Sequence, residues 1–235
     1  MPVYIEADPI NPLADLIYAQ RLSDPNELLS IFPEVQLKPG CSMGFDSEPV
    51  YHGSLGKVYI LAGDERIEFY KTPDIFRWAD NESETSFDRF TVEESGWGYF
   101  QLAWFMEEVK LLSLVWHAQY LATQLVYSVE DFRRICRGDF FPDPHDVKVS
   151  YSDWSKRKWA AKPPEEPISI WEVLKRADLR PVVFPNPGKV VVKTYRYSPW
   201  RGVYAAWYVI NTTDKKIKRE AISEYVAPFT CRKYF

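Results

Sequence analysis

The sequence has only three cysteines and three histidines among its 235 residues. Cys41, Cys136 and Cys231 are odd in number and far apart, a pattern typical of reduced thiols in a cytoplasm rather than of a disulfide framework or a zinc knuckle. Three histidines are also a poor supply of ligands for a metal centre. We therefore expect a cytoplasmic protein without a metal site.

A secretory signal and a membrane span are also missing from the pattern. The first eight residues have neither the basic region nor the apolar region of a signal peptide. The most apolar stretch, residues 98–122, contains polar side chains that a bilayer would tolerate poorly. These are Gln101, Glu107, Glu108, Lys110, Ser113 and His117.

Motifs that identify a reaction are absent. Residues 53–58, Gly-Ser-Leu-Gly-Lys-Val, contain a Gly-Lys pair but lack the first glycine of a phosphate-binding loop and the Ser or Thr after its lysine. The chain has no Gly-x-Ser-x-Gly elbow, no His-Glu-x-x-His and no Cys-His pair close in sequence. We therefore predict no catalytic residue, no cofactor and no enzymatic activity.

Aromatic residues, in contrast, are abundant: 9 Trp, 15 Tyr and 14 Phe make up 16% of the chain. The 46% hydrophobic and 26% charged residues are otherwise close to the average of soluble globular proteins. Large flat side chains supply much of the energy of cores and of protein interfaces. The composition therefore predicts a folded chain with a large aromatic core or an aromatic binding surface.

Several local patterns predict helices. Residues 12–22 place Leu13, Leu16 and Ile17 on one helical face. The capping box Thr91-Val92-Glu93-Glu94 opens a helix to about residue 117 that is apolar nearly all round, which predicts an interior position. Shorter helices are predicted after Asp24-Pro25, after Ser128, and from residue 168 or 169 to about 177.

The remaining patterns predict strands. Residues 58–61 and 66–70 form a hairpin, and residues 121–127 and 147–151 read as short strands. Residues 189–197, 203–210 and 216–225 predict a C-terminal three-stranded antiparallel meander. Because helices and strands are mixed without a βαβ rhythm, the predicted class is α+β. Residues 1–235 form one α+β unit, with two possible lobes, 1–159 and 168–235, joined by the Pro-rich residues 160–167.

The net charge of −4 hides a division along the chain. Residues 1–110 carry 20 acidic and 8 basic residues, net −12, and the rest carry 13 and 21, net +8. An acidic half repels nucleic acid and attracts a basic partner. Alternatively, the two halves are solvated faces that neutralise each other within the molecule.

The acidic segment, residues 74–94, has seven carboxylates against two arginines and four interleaved aromatics, Phe76, Trp78, Phe87 and Phe90. Carboxylates steer a basic partner and aromatics anchor it, so we expect this segment to form a docking surface. The alternative is a solvated loop whose aromatics turn inward. The predicted partner-binding residues are Asp74, Phe76, Trp78, Asp80, Glu82, Glu84, Asp88, Glu93 and Glu94.

Three weaker signals remain open. Asp143, His145 and Asp146, with His52 or His117, are a possible metal site of a small hydrolase, but Asp-Pro-His-Asp is also ordinary turn chemistry. Basic residues of the C-terminal half lie near aromatics, as in a nucleic-acid groove, although the overall acidity argues against nucleic acid. These basic residues are Lys156, Arg157, Lys158, Lys215, Lys216, Lys218 and Arg219.

Glu108 is surrounded at helical spacing by Trp104, Leu111, Leu112 and Val115. Burial of this carboxylate would raise its pKa, as in many general acids. A glutamate in such a position is more often paired with an arginine or reaches the surface at a helix edge, and no acid-base partner is identifiable here.

An acidic, aromatic-rich, cytoplasmic α+β chain without a catalytic motif resembles the immunity proteins of bacterial polymorphic toxins and type VI secretion effectors. One family of these has a Trp-x-Gly signature, which Trp200-Arg201-Gly202 matches, and Gly96-Trp97-Gly98 is a second match. The usual neighbours of that family are toxins with a restriction-endonuclease fold. The resemblance therefore implies a non-enzymatic inhibitor that binds a toxic DNase.

Overall fold

The computed structural model describes residues 1–19, 24–50, 53–69, 83–112, 123–136, 148–149, 168–198, 201–220 and 224–227. Within these ranges helices are mixed with strands that all pair in antiparallel fashion, which confirms the α+β class. The helices are α1 (Ala7–Ala19), α2 (Pro25–Ser30), α3 (Gly96–Leu112), α4 (Val129–Cys136) and α5 (Ile170–Lys175).

The main sheet has eight strands in the order β1-β11-β12-β13-β14-β6, with β8 added on β12 and β15 on β13. Its consecutive strands β12, β13 and β14 confirm the predicted C-terminal meander. The strands are β1 (Val3–Tyr4), β6 (Ser83–Ser86), β8 (Gln124–Leu125), β11 (Val182–Asn186), β12 (Lys189–Ser198), β13 (Gly202–Asn211), β14 (Lys216–Arg219) and β15 (Glu224–Ala227).

Three smaller sheets complete the described part of the fold. One is the predicted hairpin, which gains a third, long strand that the sequence patterns did not indicate. The strands are β3 (Cys41–Val50), β4 (Gly53–Ala62) and β5 (Glu65–Glu68) in one sheet, β2 (Val35–Leu37) and β7 (Phe90–Val92) in the second, and β9 (Lys148–Val149) and β10 (Ile168–Ser169) in the third.

Alternation along β12 directs side chains to two cores. Val190 and Val192 belong to the larger core, together with side chains of α1, α2, α3 and the hairpin. Tyr195 and Tyr197 point the other way, into a smaller core with residues of α4 and α5. The main sheet therefore lies between two groups of helices.

Helix α3 is buried on all sides, as its uniformly apolar sequence predicts: every residue from Phe100 to Val109 is buried. The predicted capping box at Thr91 is wrong. Thr91 and Val92 belong to β7 and pair with β2, and Ser95 caps the helix by accepting a hydrogen bond from the Gly98 backbone N–H at 3.0 Å. Residues 113–117 lie outside the described ranges.

Helix α1 begins earlier than predicted, at Ala7, and Pro12 lies within it. Its buried face consists of Ile10, Ala14 and Ile17, whereas Leu16 is 44% exposed, contrary to the expectation that it shares the buried face. The predicted caps of the shorter helices are confirmed. Asp24 caps α2, Ser128 Oγ accepts from the Asp131 N–H at the start of α4, and Ser169 caps α5.

Strands from both sides of residues 160–167 belong to the main sheet. Those residues lie outside the described ranges, and the division into two lobes stays a prediction. None of the helices that the structure describes is long and apolar enough to cross a bilayer.

Candidate functional site

Four residues of the predicted docking surface lie in the described part of the chain: Glu84, Asp88, Glu93 and Glu94. All four are exposed. The other five predicted residues, Asp74, Phe76, Trp78, Asp80 and Glu82, lie outside the described ranges. The structure therefore describes the C-terminal part of the acidic segment.

The described part of the acidic segment is fixed by pairing and by two buried rings. Strand β6 pairs with β14, and the Phe87 N–H donates to the Lys215 carbonyl at 2.8 Å. Phe87 and Phe90 are only 3% and 4% exposed. Of the two alternatives for the aromatics of this segment, Phe87 and Phe90 follow the one in which they turn inward, because both anchor the segment in the larger core.

The carboxylates of this segment have unequal surroundings. Glu84 forms an ion pair with Lys216 at 3.0 Å, and Asp88 lies 3.9 Å from Arg89. Glu93 lies beside another carboxylate, Glu34. The hydrogen bond between the two side chains raises the pKa of Glu34, and partial burial and the charge of Glu93 raise it further.

An aromatic side chain stands next to these carboxylates at the start of α3. Tyr99 is half-buried, and burial together with the charge of Glu94 raises its pKa. We call Glu34, Glu93, Glu94 and Tyr99 the entry patch. No described base forms an ion pair with Glu34, Glu93 or Glu94, so this patch is a locally negative surface with an aromatic ring beside it.

Elsewhere the two oppositely charged halves of the sequence meet in ion pairs. Two of these are exposed, Glu84–Lys216 at 3.0 Å and Glu6–Arg180 at 2.9 Å. Two are buried between α3 and the main sheet, Glu107–Arg219 at 3.3 Å and Glu108–Arg196 at 2.8 Å. Part of the charge division is therefore neutralised within the molecule.

The buried pair Glu108–Arg196 is held by further polar groups. Arg196 is fully buried and donates to Glu108 Oε1 and, through Nε, to Thr123 Oγ1 at 3.0 Å. The Trp104 indole N–H donates to the same Glu108 oxygen at 3.1 Å. Burial raises the pKa of Glu108, with Arg196 acting in the opposite direction. Of the two alternatives that the sequence leaves for Glu108, an arginine partner or a place at the surface, the structure has the arginine partner.

Glu107 has a different balance. Burial pushes its pKa upward, but Arg219, Lys110 and Arg196 outweigh burial and lower the pKa to about 2. One oxygen of Glu107 accepts from Lys110 at 3.2 Å and the other from Arg219 at 3.3 Å. The carboxylate is therefore ionised and shared between two cations.

The sequence patterns did not predict that Arg196 and Arg219, on strands of the main sheet, are the partners of Glu108 and Glu107. Arg219 is one of the basic residues that the sequence offers for a nucleic-acid groove, but it is only 5% exposed. Arg196 shares the strand alternation of Val190, Val192 and Thr194, and this pattern could have placed it in the interior. Lys216 and Lys218, by contrast, have side chains exposed by 51% and 36%.

The other candidate motifs fall largely outside the described ranges. This applies to Asp143, His145, Asp146, His52 and His117, and to Lys156, Arg157 and Lys158. Among the described residues no group of three His, Cys, Asp or Glu side chains could hold a metal ion. Residues 53–58 lie within β4, as part of the hairpin rather than as a phosphate loop.

The two Trp-x-Gly matches occupy different places. Gly202 is the first residue of β13 and has φ 77°, a conformation that favours glycine, while Trp200 lies outside the described ranges. Gly96, Trp97 and Gly98 form the first turn of α3, where Trp97 stacks on Phe100 at 5.4 Å between ring centroids.

Comparison with known proteins identified no relative: no family model, no curated protein and no solved structure matches the chain.

Proposed function

We propose that this chain is a non-enzymatic immunity protein that binds and neutralises a cognate toxic nuclease in the cytoplasm. The proposal joins the family resemblance to the charge of the acidic segment. A nuclease holds a polyanionic substrate, so its cleft is rich in lysine and arginine. A surface of carboxylates can occupy such a cleft in place of phosphates.

The observation that carries the proposal is the entry patch. Glu34 and Glu93 are held close enough that the pKa of Glu34 is raised, and Glu94 lies beside Tyr99. A lysine or arginine of a partner placed between these carboxylates would relieve their mutual repulsion. The strand pairing of β2 with β7 fixes their positions before binding, which lowers the entropy cost of association.

Glu84 and Asp88 extend this surface along the acidic segment. Their ion pairs with Lys216 and Arg89 are exposed, and such pairs contribute only about 0–1 kcal/mol. A basic partner can therefore replace Lys216 or Arg89 at little cost. Tyr99 supplies an amphipathic ring of the kind that is common in interface centres.

The proposal predicts a toxin gene beside the gene of this chain, and the test uses that toxin. Co-expression is expected to protect cells from that toxin, and purified toxin is expected to bind the purified chain. In the double variant Glu93→Gln/Glu94→Gln, the association rate at low salt should fall about threefold to tenfold, and the difference from the unmodified chain should shrink at high salt.

The matched control is Glu68→Gln/Glu172→Gln, because both residues are exposed and the net charge changes by the same two units. This control should keep the association rate close to that of the unmodified chain. A metabolic operon in place of a toxin gene, or equal slowing by both double variants, would contradict the proposal.

A further inference from the structure

The buried cluster between α3 and the main sheet contains hydrogen-bond donors that no described residue satisfies. Arg219 donates to Glu107 through Nη1, but its Nη2 is buried and has no partner among the described residues. The hydroxyl groups of Tyr204 and Tyr208 are also buried and unpartnered there. A buried donor that is left unsatisfied destabilises the folded chain.

These three groups share one face of adjacent strands. Tyr208 lies directly opposite Arg219 in the register of β13 and β14, and Tyr204 lies four residues before Tyr208 on the same face of β13. Burial and the charge of Glu107 raise the pKa of Tyr208, and the charges of Arg196 and Arg219 lower it by less. The phenol is therefore a neutral donor at any physiological pH.

Small side chains lie at the centre of this arrangement. Ala206 stands between Tyr204 and Tyr208 on the same face, and its cross-strand partner is Thr194, whose buried hydroxyl has no described partner either. Four larger polar residues surround these two: Tyr204, Tyr208, Arg196 and Arg219. Ala206 and Thr194 are therefore the smallest side chains on this part of the face.

The chemistry of the spare groups favours an anion. Arginine N–H groups can only donate, and the three hydroxyls can donate as well. Arg219 has one described counter-ion, Glu107, and Glu107 also accepts from Lys110. A water molecule can also satisfy these groups, because hydroxyl oxygens accept its protons, but it adds no charge. A halide accepts from every donor and adds negative charge beside Arg219.

We propose that Arg219, Tyr204, Tyr208 and Thr194 form a buried binding site for a small monovalent anion, with chloride as the ion bound. The site lies under the C-terminal half of α3 and is independent of the entry patch. Its occupation would stabilise the contact of α3 with β13 and β14. It would therefore make the stability of the chain depend on chloride concentration.

Thermal unfolding tests this site when sodium chloride replaces sodium gluconate at constant ionic strength, because gluconate is too large to enter. A ligand that binds only the folded chain adds about 1.4 kcal/mol for each tenfold increase above its Kd. For a chain of this size the Tm should rise by about 3–6 °C per tenfold increase in chloride. Broadening of the ³⁵Cl resonance by the folded chain measures binding directly.

The variant Tyr208→Phe removes one donor oxygen and keeps the ring. It should lose most of the chloride dependence while its Tm in gluconate equals or exceeds that of the unmodified chain. Tyr99→Phe, a half-buried tyrosine outside the cluster, should keep the full dependence. A Tm that does not change with chloride and no ³⁵Cl broadening would show that water satisfies these donors and would overturn the proposal, as would equal chloride dependence in Tyr208→Phe.

Discussion

The buried ion pair Glu108–Arg196 offers a sharp test of how this fold is held together. Glu108→Gln removes the charge and keeps the shape, and the amide oxygen can still accept from the Trp104 indole. Arg196, fully buried and 2.8 Å from Glu108, then loses a buried counter-charge. Removing one partner of a buried pair costs about 3–5 kcal/mol, because the other charge remains desolvated.

The expected size of the effect follows from the length of the chain. For 235 residues each kcal/mol shifts the Tm by about 2–4 °C, so Glu108→Gln should lower it by about 6–20 °C. Arg196→Met should lower the free energy of unfolding by less than Glu108→Gln does. The reason is that Glu108 can take up a proton and become neutral, whereas a buried arginine stays charged. The double variant should cost less than the sum of the single ones, with a coupling energy of about 1–3 kcal/mol.

Urea unfolding followed by tryptophan fluorescence measures these differences. The stability of Arg196→Met is also measured as a function of pH. Loss of the arginine should raise the pKa of Glu108 further above its unfolded value. The stability of this variant relative to the unmodified chain should therefore be greatest below about pH 4.5 and fall as pH rises. A cost under about 1 kcal/mol for Glu108→Gln, with additive single variants, would refute this account.

Two further predictions concern a glycine and a buried aspartate. A Cβ at Gly98 would lie 2.2 Å from the Glu93 carbonyl oxygen, so Gly98→Ala should cost about 1–3 kcal/mol in urea unfolding. As a control, Gly96→Ala should be nearly neutral, because its Cβ meets only the Val3 side chain, at 3.0 Å, and that side chain can move. Equal costs of the two variants would contradict the clash. Burial raises the pKa of Asp131 to about 6, although Arg134 acts in the opposite direction. The unmodified chain should therefore lose stability as pH rises from about 4 to 6, and Asp131→Asn should gain up to about 3 kcal/mol relative to it over that interval. Parallel profiles of unfolding free energy against pH for the two chains would contradict this prediction.

Local patterns predicted those elements whose determinants are local. The cap at Asp24, the hairpin and the meander follow from capping residues, turns and strand alternation. The start of α3 could not be predicted in this way. Thr91-Val92-Glu93-Glu94 has the spacing of a capping box, but pairing with β2 extends Thr91 and Val92 and leaves Ser95 to cap the helix.

At the candidate sites, too, features that depend on neighbouring residues in the sequence could be predicted, whereas features that depend on distant residues could not. Burial of Glu108 follows from the apolar residues around it in one helix, whereas its partner lies 88 residues away on β12. The inward direction of Phe87 and Phe90 depends on the core formed by distant elements. Charge counts likewise cannot tell that Arg219 is buried, whereas its pairing with Glu107 places it against α3.

The ion pairs also narrow down which part of the acidic segment is available to a partner. Glu107 and Glu108 are buried in ion pairs with Arg219 and Arg196, so neither carboxylate is available to a partner at the surface. Glu84 is partly neutralised by Lys216, a base from the other half of the sequence. Glu93 and Glu94 have no described base beside them, and Glu93 instead faces Glu34. The carboxylates of the entry patch have no described basic partner within the molecule, so their negative charge stays available to a basic partner. The entry patch is therefore a stronger candidate for docking than the rest of the acidic segment.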